Sequence, residues 1–296
     1  MTSEAAIAAD GLTKRFGAVS AVEDLDLEVG RGEVFGYLGP NGAGKTTTIR
    51  LLLDFIRPTS GRCAVLGKSG RDPSIRRRIG YLPGELRVDP RHTGQDVIDF
   101  YGRLRGGVDV RYVAGLIERL DLDPTRPFRE LSSGNRRKVG IVQAFMHTPE
   151  LLLLDEPTAG LDPLQQQEFR HLLGEAADNG ATVFLSSHVL PEVEAVSGRV
   201  GVLSGGRLVA VASVEELRRR ARQRIEVHLG GEVDASVFMA VPGVVEATGH
   251  GDVVAMVVEG DVDAVVKALA HHHVRRIVTH EATLEDAFLS LYRPRQ

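Results

Sequence analysis

The chain has 296 residues, 43% of them hydrophobic, with a formal charge of −4 and a pI near 6.2. Its length exceeds one typical domain, so one large and one small domain are expected, and the acidic balance argues against an extended nucleic-acid-binding surface. The single cysteine, Cys63, excludes an internal disulfide and points to a reducing compartment, and the lack of about 18 consecutive apolar residues leaves any membrane role to a partner of a soluble, cytoplasmic chain.

In chain order, residues 6–9 and 22–29 read as strands. The apolar run 33–38 reads as a third and leads into Gly39-Pro40-Asn41-Gly42-Ala43-Gly44-Lys45-Thr46-Thr47, after which residues 46–54 look helical. Strand, glycine turn and helix start are the context that a G-x-x-x-x-G-K-T phosphate loop needs. Gly42 and Gly44 let the backbone come close to an anion, and successive N–H groups then surround the β-phosphate at the positive helix end. Lys45 can reach the β/γ oxygens, and the Thr46 hydroxyl is placed to ligate Mg²⁺. A nucleoside triphosphate is the expected ligand. Cys63 opens the apolar run 63–66 and reads as a core residue.

Residues 87–147 are richer in helical periodicity, as at 97–101 and 113–120. Within them, Ser132-Ser133-Gly134 precedes a basic segment, which puts hydroxyls and N–H groups at a positive helix end. One chain has little use for two anion-binding devices on one triphosphate. Of the adjacent Arg136, Arg137 and Lys138, at least two are expected on a solvated helix face. The run 151–156 is four leucines followed by Asp155 and Glu156, a strand buried on both faces that ends in carboxylates. Asp155 can hold the Mg²⁺ shell, and Glu156 can polarise an attacking water, as general base or by positioning it. Another apolar run, 182–185, precedes Ser187 and His188.

Residues 201–209 read as a hairpin turning at Ser-Gly-Gly, and 213–216 as a capping box that opens a helix through Arg224. Arg218, Arg219 and Arg220 suit a solvated helix face, or attraction to anionic lipid headgroups. From about 225 the pattern becomes strand (225–229), hairpin (244–248 and 253–258), a helix capped by Asp261, strand (274–278) and a last helix (283–292). His271, His272 and His273 are adjacent, so on a helix they point about 100° apart and cannot all meet one ion.

Taken in order, these segments resemble the motifs of an ABC transporter ATPase subunit. Residues 39–46 resemble Walker A, Leu131-Ser132-Ser133-Gly134-Asn135 the signature, and 151–155 with Glu156 the Walker B strand and its acid. Ala159-Gly160-Leu161-Asp162 looks like the D-loop, His188 like the switch histidine, and Phe16 sits where the family keeps an aromatic that stacks on adenine. The resemblance covers roughly residues 5–212. The remainder is similar to the C-terminal domain of bacterial drug-exporter ATPases of the daunorubicin-resistance type, including a closing segment like 283–288.

This likeness implies an α/β fold: a P-loop ABC-type nucleotide-binding domain over 1–215 with a helical subdomain near 87–147. It further implies a linker helix at 216–224 and a ferredoxin-like α+β domain over 225–296. The implied cofactors are ATP and Mg²⁺, with Lys45, Glu156 and His188 catalytic and Thr46 and Asp155 on the metal. Nucleotide contacts would come from Phe16, Gly39 to Thr47, Ser132, Ser133, Gly134, Asn135 and Asp162. Two copies would sandwich two ATP and drive export through membrane-embedded permease subunits on separate chains. The ATPase would then be peripheral at the cytoplasmic face of the membrane, with no nucleic-acid partner.

Two departures from the family pattern stand out. In the signature, Ser133 replaces a glycine and Asn135 a glutamine, changes that should leave anion binding intact. At Gly84 the family normally has a glutamine that helps coordinate Mg²⁺ and links to the permease. Either Glu85 substitutes or water completes the shell; if Glu85 has taken over, restoring glutamine at 84 is expected to be neutral or mildly activating. Rival functions are an ABC ATPase acting on ribosomes or DNA, an import ATPase, and a nucleotide-gated interaction module with little turnover.

Overall fold

The computed structural model describes residues 5–69, 72–220 and 222–280, and the chain divides into two units between Val211 and Ala212. In the first unit, Ala5–Phe16 pairs antiparallel with Val19–Gly30 on one side and Ser60–Val65 on the other. Val22, Leu25, Leu27 and Val29 are buried while their neighbours are less so, the alternation of a sheet with one covered face.

A six-stranded sheet runs in the order Ile79–Leu82, Leu151–Asp155, Thr182–Ser187, Val34–Leu38, Arg199–Ser204, Arg207–Ser213. The first five strands pair in parallel. Leu151, Leu152, Leu153 and Leu154 are all fully buried, as a central strand covered on both faces must be. Register decides what gathers at the sheet's carboxyl edge. Leu38 pairs with Ser187 and Asp155 with Ser186, so Gly39, Glu156 and His188 all emerge side by side just beyond it. Open parallel sheets bind ligands at this edge.

The 87–147 segment carries the helices Gly94–Leu104, Val110–Arg119 and Ser133–Phe145. Thr93 and Asp96 close a capping box on the first, and Asp109 caps the second. Apolar side chains Val97, Ile98, Val113, Leu116, Val139 and Val142 form a core with Leu152, Leu154 and Leu185 of the sheet. The helix after the phosphate loop is Lys45–Leu52, two residues shorter at its end than expected.

In the second unit, four antiparallel strands take the order Val244–His250, Val253–Glu259, Arg222–Leu229, Val274–His280. The expected helix through Arg224 is shorter: Val214–Arg220 is helical and a strand begins at Arg222. Residues 222–228 pair along their whole length with 253–259, and 224–229 also pair with 274–280. Two ladders of backbone hydrogen bonds outweigh the favourable helix propensity of Arg and Gln. The capping box is present, with Ser213 and Glu216 bonded reciprocally. Asp261 accepts from the N–H of Asp263 at the start of Asp263–Leu269. Beyond that helix the His272 ring packs 5.4 Å from Phe238. The expected last helix at 283–292 lies outside the described residues.

Candidate nucleotide-binding and hydrolysis site

The phosphate loop spans the end of Val34–Leu38 and the start of Lys45–Leu52. Gly44 caps that helix at φ +111°, and a Cβ there would lie 2.2 Å from the Ala21 carbonyl oxygen, so no side chain fits. No side chain caps the helix, and its first N–H groups remain available for an anion. The pocket above the loop, about 210 Å³, is lined by Ala21, Pro40 to Thr47 and Glu156.

Lys45 is almost fully buried. Its ammonium donates to the carbonyls of Gly39 (2.6 Å) and Pro40 (3.2 Å) and lies 3.1 Å from Glu156 Oε1. That last contact is one of charge without hydrogen-bond geometry, because Oε1 is buried and accepts no hydrogen bond. The other oxygen, Oε2, is 2.7 Å from His188 Nδ1. A carboxylate only accepts, so Nδ1 carries the proton and donates it. Glu156 has φ +50°, a left-handed conformation rare outside glycine and turn residues. Its N–H bonds to the Ser186 carbonyl (3.1 Å), which holds the residue there. Phosphate cradle, acid and histidine thus form one chain of contacts.

Asp155 is buried, with Oδ1 accepting from Ser186 Oγ (2.6 Å) and Oδ2 from Thr46 Oγ1 (2.7 Å). A hydroxyl and a carboxylate oxygen side by side at the loop are an oxygen donor set suited to a hard cation such as Mg²⁺. Ser186 is absent from the sequence expectations. Its only sequence signal is a polar residue ending an apolar strand, and the register with Asp155 gives it meaning.

The other expected residues lie elsewhere in the chain's own structure. Ser132 caps Ser133–Phe145, its hydroxyl accepting from the N–H of Asn135 (3.2 Å). A Cβ on Gly134 would lie 2.6 Å from the Gly160 carbonyl, so the signature turn packs directly on the D-loop of the same chain. Asp162 caps Pro163–Asp178 by accepting from the N–H of Gln165 (2.9 Å). Phe16 is half-exposed, with the Lys14 ammonium 5.0 Å over its ring. None of Phe16, the signature residues or Asp162 lines the phosphate-loop pocket.

The basic triplet corrects its expectation. Arg137 and Lys138 are buried rather than solvated: Arg137 donates to the carbonyls of Pro83 and Gly84 (2.7 Å each), and Lys138 to that of Asp121 (3.2 Å). Arg136 is half-buried, donating to the Phe128 carbonyl and lying over that ring. Backbone carbonyls left bare by turns and helix ends attract these cations inward, a need invisible in local sequence.

At the position of the missing glutamine, the Glu85 carboxylate turns to Arg87 (2.9 Å) and solvent. Glu85→Ala is therefore expected to leave the Mg²⁺ concentration for half-maximal ATP hydrolysis unchanged; a several-fold rise in a Mg²⁺ titration would return Glu85 to the metal. A Cβ at Gly84 would sit 3.2 Å from Asp155 Oδ2. A glutamine there would need Asp155, bonded on both oxygens, to give by a few tenths of an ångström.

A mainly parallel sheet with a phosphate loop at one strand end and an acid pair two strands away defines a P-loop NTPase, here with a helical insert. Residues 22–159 match the ABC transporter family. The chain is 35% identical over 307 residues to the daunorubicin resistance ATP-binding protein DrrA3 of Streptomyces coeruleorubidus, covering 98% of this chain and 96% of that one. It is 34% identical over 244 residues to the bacitracin transport ATP-binding protein BcrA of Enterococcus faecalis, covering 80% and 79%. Its fold is shared with the ATP-binding cassette MJ0796, solved as a dimer in a post-hydrolysis state with ADP and Pi, at TM-score 0.65 and 21% identity over 70% of this chain and 98% of that one. The chain belongs to the ABC transporter ATP-binding proteins: it is an ATPase subunit of a transporter.

Proposed function

We propose that the chain powers a bacterial exporter of drug, antibiotic or lipid-like cargo. The observation that carries the hydrolytic part of this reading is Glu156, held between Lys45 and His188 over the phosphate loop. ATP would lay its β- and γ-phosphates on the N–H groups of residues 42–47, with adenine against Phe16. Lys45 would exchange its contact with Glu156 for the phosphate oxygens. Glu156 would then be free to orient or deprotonate a water in line with the γ-phosphate, while His188 fixes the carboxylate and contacts the transferring group. Thr46 and Asp155 fit Mg²⁺, which when bound neutralises charge developing on the phosphates.

Two copies would face each other around two ATP, each phosphate loop completed by the partner's Ser132 to Asn135 and the D-loop with Asp162. Two features support this sandwich. The signature turn is an anion-binding helix start that its own chain's pocket does not use, and the relative MJ0796 forms a dimer. The permease, on separate membrane-embedded chains, would dock on residues 84–91 and the helical subdomain, placing the ATPase at the cytoplasmic face of the membrane. The export reading is supported by the similarity, over 98% and 80% of this chain, to a daunorubicin resistance protein (DrrA3) and a bacitracin transport protein (BcrA). The second unit supports a ferredoxin-like reading through its strand order, with the 3₁₀ turn Ala235–Ala240 in place of the first helix.

Mixing Lys45→Ala and Ser132→Arg chains tests the sandwich. Both defects then fall in one composite site of the heterodimer and the other stays intact. ATPase activity is expected to reappear above that of either variant alone. No recovery from isolated heterodimers would count against the signature acting in trans.

A further inference from the structure

Arg137 is buried, against expectation, beside the turn that carries Gly84. Arg137 sits one turn into the helix that begins at the signature, and its guanidinium forks onto two successive carbonyls, Pro83 and Gly84. No partner in this fork is a carboxylate. Asp155 and Glu156 act on its charge through space and not by contact. Burying a cation against neutral carbonyls is costly unless geometry requires it.

Two further contacts show that the turn is held tightly. A Cβ on Gly140, one turn further along the same helix, would lie 2.6 Å from Leu82 Cδ1, so helix and strand are seated backbone to side chain. Gly84 itself abuts Asp155, leaving no room for a side chain at ordinary contact distance. The carboxylate that pairs with Thr46 is therefore backed by a bare turn, and that turn is pinned by Arg137.

We propose that Arg137 is a positioning residue for the metal-holding carboxylate. By clamping the 83–84 turn against Asp155, it fixes the carboxylate left to hold the metal where no glutamine is present, and it ties that turn to the signature helix. A planar two-point donor is required, because only a fork fixes two adjacent carbonyls at once. Residues behind a metal ligand typically change metal affinity by about 10- to 100-fold when removed. This inference rests on the reading of Asp155 as a metal ligand.

The test uses the full chain carrying Glu156→Gln, saturated with ATP and titrated with Mn²⁺ followed by electron paramagnetic resonance. Arg137→Gln and Gly84→Ala are each expected to weaken Mn²⁺ binding about tenfold, with metal-free ATP affinity unchanged. Arg137→Lys keeps the charge but not the fork, so an intermediate loss is expected; it carries the test if the glutamine variant does not fold. Unchanged Mn²⁺ affinity in Arg137→Gln, or an equal loss of metal-free ATP binding, overturns the clamp. Asp155→Asn separates the two readings. Retained Mn²⁺ affinity in that variant removes the premise, whereas loss there with an unaffected Arg137→Gln refutes the clamp alone.

Discussion

Glu156→Gln is expected to abolish steady-state ATP turnover while ATP binding is retained. Glutamine matches the glutamate in shape and can occupy the same φ +50° backbone, which the bond from its N–H to the Ser186 carbonyl maintains. What it lacks is charge and basicity. A positioned acid or base typically contributes about 10² to 10⁴ in rate, so kcat should fall by that order. Binding should not suffer. Glu156 Oε1 lies 3.1 Å from the Lys45 ammonium and would compete with phosphate for it. Removing that negative charge leaves Lys45 with two neutral carbonyls, so ATP affinity should hold or rise. A stopped ATP cycle should also accumulate the ATP-bound dimer, visible by size-exclusion chromatography. Normal turnover in this variant would remove Glu156 from the catalytic role.

Lys45→Ala is expected to produce the opposite separation, with binding itself lost. Among the described residues, the ammonium is the one cation lining the phosphate-loop pocket. A hydrogen bond to a charged group is worth about 1.5–3 kcal/mol, which corresponds to about a ten- to hundredfold weaker Kd. The glycine cradle and the helix N-terminus remain, so residual affinity should persist. The loss also strands Glu156, whose Oε1 has no other partner and faces the incoming γ-phosphate as an uncompensated negative charge. That repulsion should push the effect towards the upper end of the range. Unchanged affinity by titration calorimetry would show that this loop is not the nucleotide site.

The residues proposed for hydrolysis and for metal binding lie in two neighbouring sets at one edge of the sheet. Glu156 belongs to a chain running from Lys45 to His188, whereas Asp155, its immediate neighbour, belongs to a second set with Thr46, Ser186 and the turn held by Arg137. Adjacent residues of a strand point to opposite sides, and here the positive φ of Glu156 adds a sharp turn. Ser186 touches both sets, its carbonyl and hydroxyl holding Glu156 and its hydroxyl bonding Asp155, so substitutions in the two are expected to couple.

Much of this was legible from the chain alone, because its chemistry is written in contiguous segments. The phosphate loop needs glycines, a lysine and a threonine at fixed spacing within a few residues, and nothing distant can supply them. Four leucines ending in two acids announce a buried parallel strand with its functional end, and the structure buries all four. The capping box at 213–216 and the Gly-rich hairpin turns are likewise local devices whose partners lie within a few positions.

The tertiary structure decided what depended on partners far away in the chain. Arg137 and Lys138 read as solvated because local sequence does not reveal bare carbonyls 54 or 17 residues distant that need donors. The helix expected to run through Arg224 yields to a strand because two ladders pair with residues 222–229, and their strands lie 25 residues or more downstream. Gly84 looked like a missing ligand, when in three dimensions it is the residue that lets a turn rest against Asp155, 71 positions away. Short-range patterns specify which chemistry the chain carries, since each motif satisfies its own geometry. Which side chains support that chemistry depends on close packing and on pairing every buried polar group, conditions that only the assembled fold imposes.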